Sequence, residues 1–254
     1  MAESAGSAEM PLPWSAQLLR LTLFLASPVD GSALWEKVTG ETPEIDEHRP
    51  RANARRQAGR VGDAFLDLQI GISRLDWVLT PAPPLAPSDL IIYMGTVPDA
   101  VSKFDALLLP WLGAGPEIAI QRMALGLIAM LPVPDRAAAY ARLQELVPSV
   151  RYDPERAREV MYQVNRPSLA QSVPGMEINR VTKWASIRAA PMEALVAGGR
   201  LTSTSGTEES FVHCECDHST PVDRIEPFSL DQLVPIYQEL RDLAVANLEK
   251  GEIP

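Results

Sequence analysis

The sequence predicts an α+β fold in which two βαβββα units, over residues 15–113 and 117–251, pack helices on a mixed or antiparallel sheet. Three observations predict it. Several separate stretches alternate apolar and polar residues at period two, the strand signature. Others carry apolar residues at three- and four-residue steps behind good caps, the helix signature. The order strand, helix, three strands, helix then occurs twice, as a repetition of pattern without residue-by-residue similarity. The units are expected to share one core or to pack closely, which 254 residues at 46% hydrophobic content can support.

The first 14 residues, MAESAGSAEMPLPW, are expected to be a flexible terminus; they hold no cationic stretch leading into an apolar run, so no secretory signal is read there. In Gln17 to Leu25, Leu19, Leu21, Leu23 and Leu25 share one face of a first strand. Asp30 or Ser32 offers an N-cap for a short helix with Leu34, Trp35 and Val38, ended by Gly40 in the left-handed conformation that suits a C-cap. Ala64 to Ile70 and Leu75 to Leu79 alternate about Gly71, which predicts a hairpin. The proline-rich stretch 80–89 cannot supply a sheet ladder and reads as a stiff loop, with a third short strand over Leu90 to Met94. Val101, Phe104, Leu108 and Trp111 mark the helix that closes the first unit.

Glu117 to Met130 is apolar on both faces apart from Gln121 and Arg122, as a central strand covered from both sides would be. Leu125 and Leu127 are expected on one buried face and Ile128 on the other. Asp135 caps a helix bearing Tyr140, Leu143 and Val147. Asp153-Pro154 starts a single turn before Val160, Tyr162 and Val164 alternate; Glu177 to Arg188 and Phe211 to Asp217 are two further strands, with Ser203, Thr204 and Ser205 in a loop between them. Ser229 and Gln232 form a capping box for a last helix carrying Leu233, Ile236 and Leu240, with Pro235 in its first turns and Gly251 as the stop.

Composition excludes several classes. The longest apolar run, Met123 to Leu131, is about half a membrane span, so no membrane insertion is expected. A net charge of −10 opposes the counterion-release term of nucleic-acid binding. Two cysteines in a chain read as cytoplasmic argue for reduced thiols. Four of the 23 basic residues are lysine and the rest arginine, in an Ala-, Pro- and Leu-rich chain, a composition typical of GC-rich bacterial genomes. No phosphate-binding GxxxxGK[ST], no GxGxxG after a strand, no GxSxG elbow and no HExxH is present, so no cofactor and no catalytic residue is assigned.

The strand QRMALGLIAML, the segment YQVNRPS with NRVTKW after it, and CDHSTP before a terminal helix together resemble uncharacterised bacterial proteins of about 250 residues. That group has no assigned activity. The resemblance therefore implies fold and source only.

Three constellations could carry function. FVHCECDHST holds both cysteines, and strand parity puts Val212, Cys214, Cys216 and His218 on one face, with His213, Glu215 and Asp217 on the other. The favoured reading is a half-buried strand in which cysteine acts as a small hydrophobe. A zinc site from Cys214, Cys216 and His218 has Cys-x-Cys-x-His spacing rather than the tight-turn Cys-x2-Cys, and needs a distant fourth ligand such as His48 or a carboxylate. In HRPRANARRQAGR, Arg49, Arg51, Arg55, Arg56 and Arg60 could meet phosphate or an acidic partner. Glu41, Glu44, Asp46 and Glu47 precede them, so an exposed, self-neutralising loop or a partner contact is expected. Arg180, Trp184 and Arg188 share a strand face, near Asn165 and Arg166, and could grip a flat anionic ligand; the plainer alternative is an exposed face with cation–π and cross-strand pairs.

The leading expectation is a non-enzymatic protein-interaction or scaffold protein whose partner is another protein, with homo-oligomer formation also open to it. The alternatives are an enzyme or sensor for a small anion bound by the Arg/Trp face, and a zinc-binding protein.

Overall fold

A computed structural model describes residues 13–83, 91–190, 192–197, 200–205 and 208–252, with backbone alone from 192 to 205. Period-two alternation becomes β1 (Ser15–Leu25), β4 (Ala64–Ile70), β5 (Arg74–Pro81), β6 (Ile120–Val133), β9 (Glu177–Ala189) and β12 (Glu209–Ser219). Shorter strands are β2 (Ile45–Arg49), β3 (Ala54–Val61), β7 (Met161–Asn165) and β8 (Ser168–Leu169); β10 (Met192–Ala197) and β11 (Arg200–Ser205) form a separate hairpin. The helices are α1 (Leu34–Thr39), α2 (Val97–Gly113), α3 (Arg136–Leu146) and α4 (Leu230–Lys250). No helix among the described residues is long and apolar enough to cross a membrane.

The main sheet runs β2-β3-β4-β5-β1-β6-β12-β9-β7, with β8 also on β9, and every ladder is antiparallel. The first strand of each half, β1 or β6, pairs with the last strand of its own half, β5 or β12, and with its counterpart across the centre. Leu19, Leu21 and Leu23 face Leu127, Leu125 and Met123 across that central ladder.

One face of the sheet carries the core. Leu21, Leu68, Trp77, Leu125, Cys216 and Trp184 join Trp35 of α1, Phe104 and Trp111 of α2, Tyr140 of α3 and Leu240 of α4 in a single buried cluster. Trp77 sits between Trp35 and Trp111, at ring separations of 6.4 and 6.0 Å. The helix ends follow the sequence signals. Asp135 accepts from the Ala138 N–H at 2.8 Å, Ser229 and Gln232 form the capping box, and Gly40 at φ 73° closes α1. α1 itself has Ala33 at its N-cap position, while Asp30 accepts from the Ser32 N–H just before it.

Several expectations are corrected. The segment 48–60 is no loop: β2 and β3 form a hairpin around a short 3-10 turn, Pro50–Ala52, with Asn53 in the left-handed region at φ 45°. Ile91 to Met94 is irregular rather than a strand; the Met94 N–H donates to the Ala16 carbonyl at 3.0 Å, and Leu90 lies outside the described residues. The first half therefore has four strands after its first helix, not three. Ser203, Thr204 and Ser205 lie on β11 rather than in a loop. Residues 1–12 lie outside the described residues, but Trp14 is no part of a flexible tail: it is buried against Trp184 and its indole N–H donates to the Leu248 carbonyl at 2.9 Å. β6 is central yet helix-covered on one face only, with Ile128 half-buried on the other. Gly126 on that open side is paired with Arg20, and a Cβ at Gly126 would meet the Arg20 guanidinium at 3.4 Å.

Candidate functional site

Cys214, Cys216 and His218 lie on the covered face of β12, as parity requires, and all three are fully buried. The sulfurs are 3.8 Å apart and both thiols are free. Helix α4 closes over them. The Cys216 thiol faces the Ala244 carbonyl at 3.8 Å, and Asn247 donates to Thr182 Oγ1 at 2.7 Å with its amide nitrogen 3.3 Å from His218 Nε2. Burial pushes the Cys214 thiol well above its ordinary range, because a thiolate there would lose its hydration. A hydrogen bond from Cys214, and His218 beside it, draw Cys216 the other way. No group of three or more metal-ligating side chains converges among the described residues. His48, the distant histidine considered as a fourth ligand, is on β2, six strands from β12, or about 29 Å at ~4.8 Å per strand. The arrangement is a packed polar seam under a helix.

The Arg180–Trp184–Arg188 face is not an exposed platform. Arg180 and Trp184 are buried on the helix-covered side, because α4 and Trp14 pack there; only Arg188, near the end of β9, is exposed, and it pairs with Glu208 at 2.8 Å. Arg180 Nε donates to the Arg166 carbonyl at 2.7 Å, and desolvation, then Arg166, lowers its pKa. Asn165 accepts from the Arg180 N–H at 2.9 Å and donates to Asn179 at 2.9 Å. Arg166 pairs with Glu252, which also accepts from Tyr162 at 2.9 Å and Ser149 at 2.5 Å. These residues converge, but as struts that tie β7 and β9 to the end of α4. The space among Arg166, Arg180, Trp184, Asn247 and Glu252 is about 10 Å³. One water needs at least that much, so a flat anionic ligand has no room.

The uncovered face tells a different story. Where β2 to β6 end together, Arg49, Arg56 and Arg74 come from three strands to line a concavity of about 590 Å³ with Arg55, Gln69, Glu47 and Asp76. Phe24 of β1 is paired with Arg74 on β5 and Arg122 on β6, and both guanidiniums lie over its ring, at 5.8 and 4.3 Å. Each cation there is worth ~0.5–1 kcal/mol against the ring at an exposed site. The expected self-neutralisation is present. Arg55 bridges both Asp46 oxygens at 2.9 and 2.5 Å, Arg56 pairs with Asp67 at 2.6 Å, Arg49 with Glu47 at 3.5 Å, and Arg74 holds Asp76 at 2.6 and 2.8 Å. Asp76 also accepts from Thr22 at 2.5 Å. Arg60 donates to the Pro83 carbonyl at 2.9 Å, and Arg51 is exposed on the 3-10 turn. Arg122 has no carboxylate partner among the described residues, and its Nε makes no hydrogen bond there.

A second hollow of about 550 Å³ shares Ala54, Arg55 and Ile70 with the first and runs past His48 and Asn53 to Pro28–Ser32. A third, of about 610 Å³, continues from Pro28–Asp30 to Trp111, Pro110 and Ile118. Together they form a belt around one end of the sheet, cationic on the open face and mixed beside α2, where Asp30, Lys37 and Glu117 join Trp111 and Ile118. Sequence reasoning found the arginines of residues 49–60 but missed Phe24, Arg74 and Arg122. Each sits at the outward parity of its own strand, β1, β5 or β6, but only the register brings the three into one row. Neither a protein-family model nor a curated protein sequence matches the chain.

Proposed function

We propose that the protein is a non-enzymatic interaction or scaffold protein that receives an acidic segment of another protein at the arginine end of its uncovered sheet face. The observation that carries this reading is the row Arg74–Phe24–Arg122 beside the 590 Å³ concavity lined by Arg49 and Arg56. An antiparallel sheet commonly leaves one face to water, so openness alone decides nothing. Cations from three strands around one hollow, with Arg122 of a fourth strand stacked on Phe24 beside it and without a carboxylate partner among the described residues, are a more specific feature. The net charge of −10 does not steer an acidic partner inward from afar. At physiological salt the screening length is about 8 Å, so a partner already docked responds mainly to the local arginines. The same balance favours a short acidic segment over a long polyanion, whose flanks would meet acidic surface.

The two halves share a plan, each with its first strand at the centre and its later strands stepping outward, and this supports our reading of the fold as a duplicated βαβββα unit with one added strand in the first copy and three short ones, β8, β10 and β11, in the second.

The test is fluorescence anisotropy with a labelled Glu/Asp-rich peptide and a Lys-rich peptide of equal length. The acidic peptide should bind, weaken with added salt, and lose at least about tenfold in affinity in the double variant Arg49→Glu, Arg122→Glu, since like charge at a contact is destabilising. Equal binding of both peptides, or an unaffected double variant, would overturn the proposal.

A further inference from the structure

The two edges of the main sheet differ in a way that the arginine site does not use. The β2 edge reads IDEHR, so ionisable side chains blunt it against pairing with another chain. The β7 edge reads MYQVN and carries no charge. Its even-numbered neighbours face β9: the Val160 carbonyl accepts from Ser186 at 3.1 Å and the Arg166 N–H donates to Arg180 at 3.2 Å. Met161, Gln163 and Asn165 therefore turn their N–H and C=O groups away from β9, and no described strand pairs with them. All three are exposed, Met161 at 65%, and Leu169 on the continuing edge is exposed at 72%.

We infer that the β7 edge is a self-association surface, where a second copy of this chain pairs its own β7 antiparallel across a twofold axis at Gln163. The register is self-complementary: Gln163 meets Gln163 of the copy, and Met161 meets Asn165 in both directions. Such an isologous contact is what a twofold axis requires. It also answers the electrostatic objection to joining two chains of charge −10. Of the ions beside this edge, Arg166 is paired with Glu252 and Lys183 with Glu215 at 3.4 Å, and the strand itself brings none. Pro167, which has no N–H to donate, limits the pairing to the five residues of β7. A contact this short falls well below the ~1,600 Å² of a standard interface, so the dimer forms reversibly as concentration rises.

Sedimentation of the full chain over a concentration series should show the mass rising from one chain of 27.8 kDa toward two. Gln163→Lys sets two ammonium groups opposite each other at the axis and should weaken dimerisation by at least about tenfold, while its unfolding midpoint stays that of the parent because the side chain is exposed. Gln163→Cys should cross-link under mild oxidation, because directly opposed hydrogen-bonded residues lie ~5.5 Å apart between Cα atoms, within reach of a disulfide. The native thiols are buried and do not compete. Gln69→Cys, exposed on β4, is the control and should not cross-link. A single-chain mass up to about 1 mM, where even a millimolar dimer would show, overturns the inference. So does a dimer indifferent to Gln163→Lys, or a control that cross-links as fast. A monomer that still binds the acidic peptide would sink this inference alone.

Discussion

Leu127 and Ile128 are neighbours on the central strand, and their truncation separates a covered face from an open one. Leu127 is 1% exposed, opposite Leu19 on one side and Cys216 on the other. Leu127→Ala removes three carbons, about 2.4 kcal/mol at ~0.8 kcal/mol each. The void left beneath α4 cannot fully collapse, which brings the expected loss to about 3–4 kcal/mol. Ile128 is half-buried between Leu18 and Glu215, with no described helix above it. Its truncation loses contacts that water already shares, for an expected cost of about 1 kcal/mol. Urea unfolding of the two variants, read as midpoint shifts at unchanged slope, measures both. If Ile128→Ala costs as much as Leu127→Ala, the second face is covered in solution and the argument for a free arginine surface collapses with it.

Three further outcomes follow from the same geometry. His213, on the helix-free face of β12 but packed beside the buried Met130 and Ala185, has its pKa lowered from 6.5, chiefly by burial, so the unfolded chain binds a proton that the folded one resists. Stability from this group is complete above pH 6.5 and declines as pH falls from there toward the folded pKa; melting temperatures below that pH should fall less steeply in His213→Gln, and an unchanged slope would refute the assignment. The two thiols should resist a soluble disulfide reagent until denaturant is added, and Leu240→Ala, which loosens α4, should speed labelling; immediate labelling of the native chain would show that the helix does not seal the seam. Deleting residues from Ser229 onward strips the cover from Cys216, Thr182 and Trp14, and the product should be insoluble; a soluble, cooperatively unfolding fragment would make α4 an appendage.

Strands with one covered face were legible because their inward residues are leucines at period two: Leu19 to Leu25, Leu66 and Leu68, Leu75 to Leu79. β2 and β3 were illegible for the complementary reason. On β3 the side matching those leucines carries Arg55, Gln57 and Gly59, so no apolar period exists to read. Gly59 packs closely there, since a Cβ would come 3.3 Å from the Trp35 ring and the Glu44 backbone and push both aside. At the cysteine strand, parity gave the right face. At β9 parity was equally right, but two arginines on the Trp184 side made that side look solvated. Arg180 is instead held beneath the chain end by Arg166 and Asn165, a long-range arrangement that no local pattern encodes.

The same face logic explains where the molecule is firm and where it can change partners. At the central ladder, Leu19, Leu21 and Leu23 lock against Leu127, Leu125 and Met123 on the covered side, while on the open side Arg20 lies across Gly126 to reach Asp217 at 3.6 Å. A slip of one residue would drive Arg20 into the core and turn the leucines to water, so both faces specify one register. Nothing comparable restrains the outer strands. β2 is kept from foreign pairing by its charges, and that leaves Arg49 available for docking on the open face. β7 has neither charges nor a neighbour on its outer side among the described residues. The two edges are eight strand spacings apart, about 38 Å at ~4.8 Å each. A copy paired at β7 therefore leaves the arginine end untouched, and a dimer joined there would present two such ends, one at each extremity of a continuous sheet.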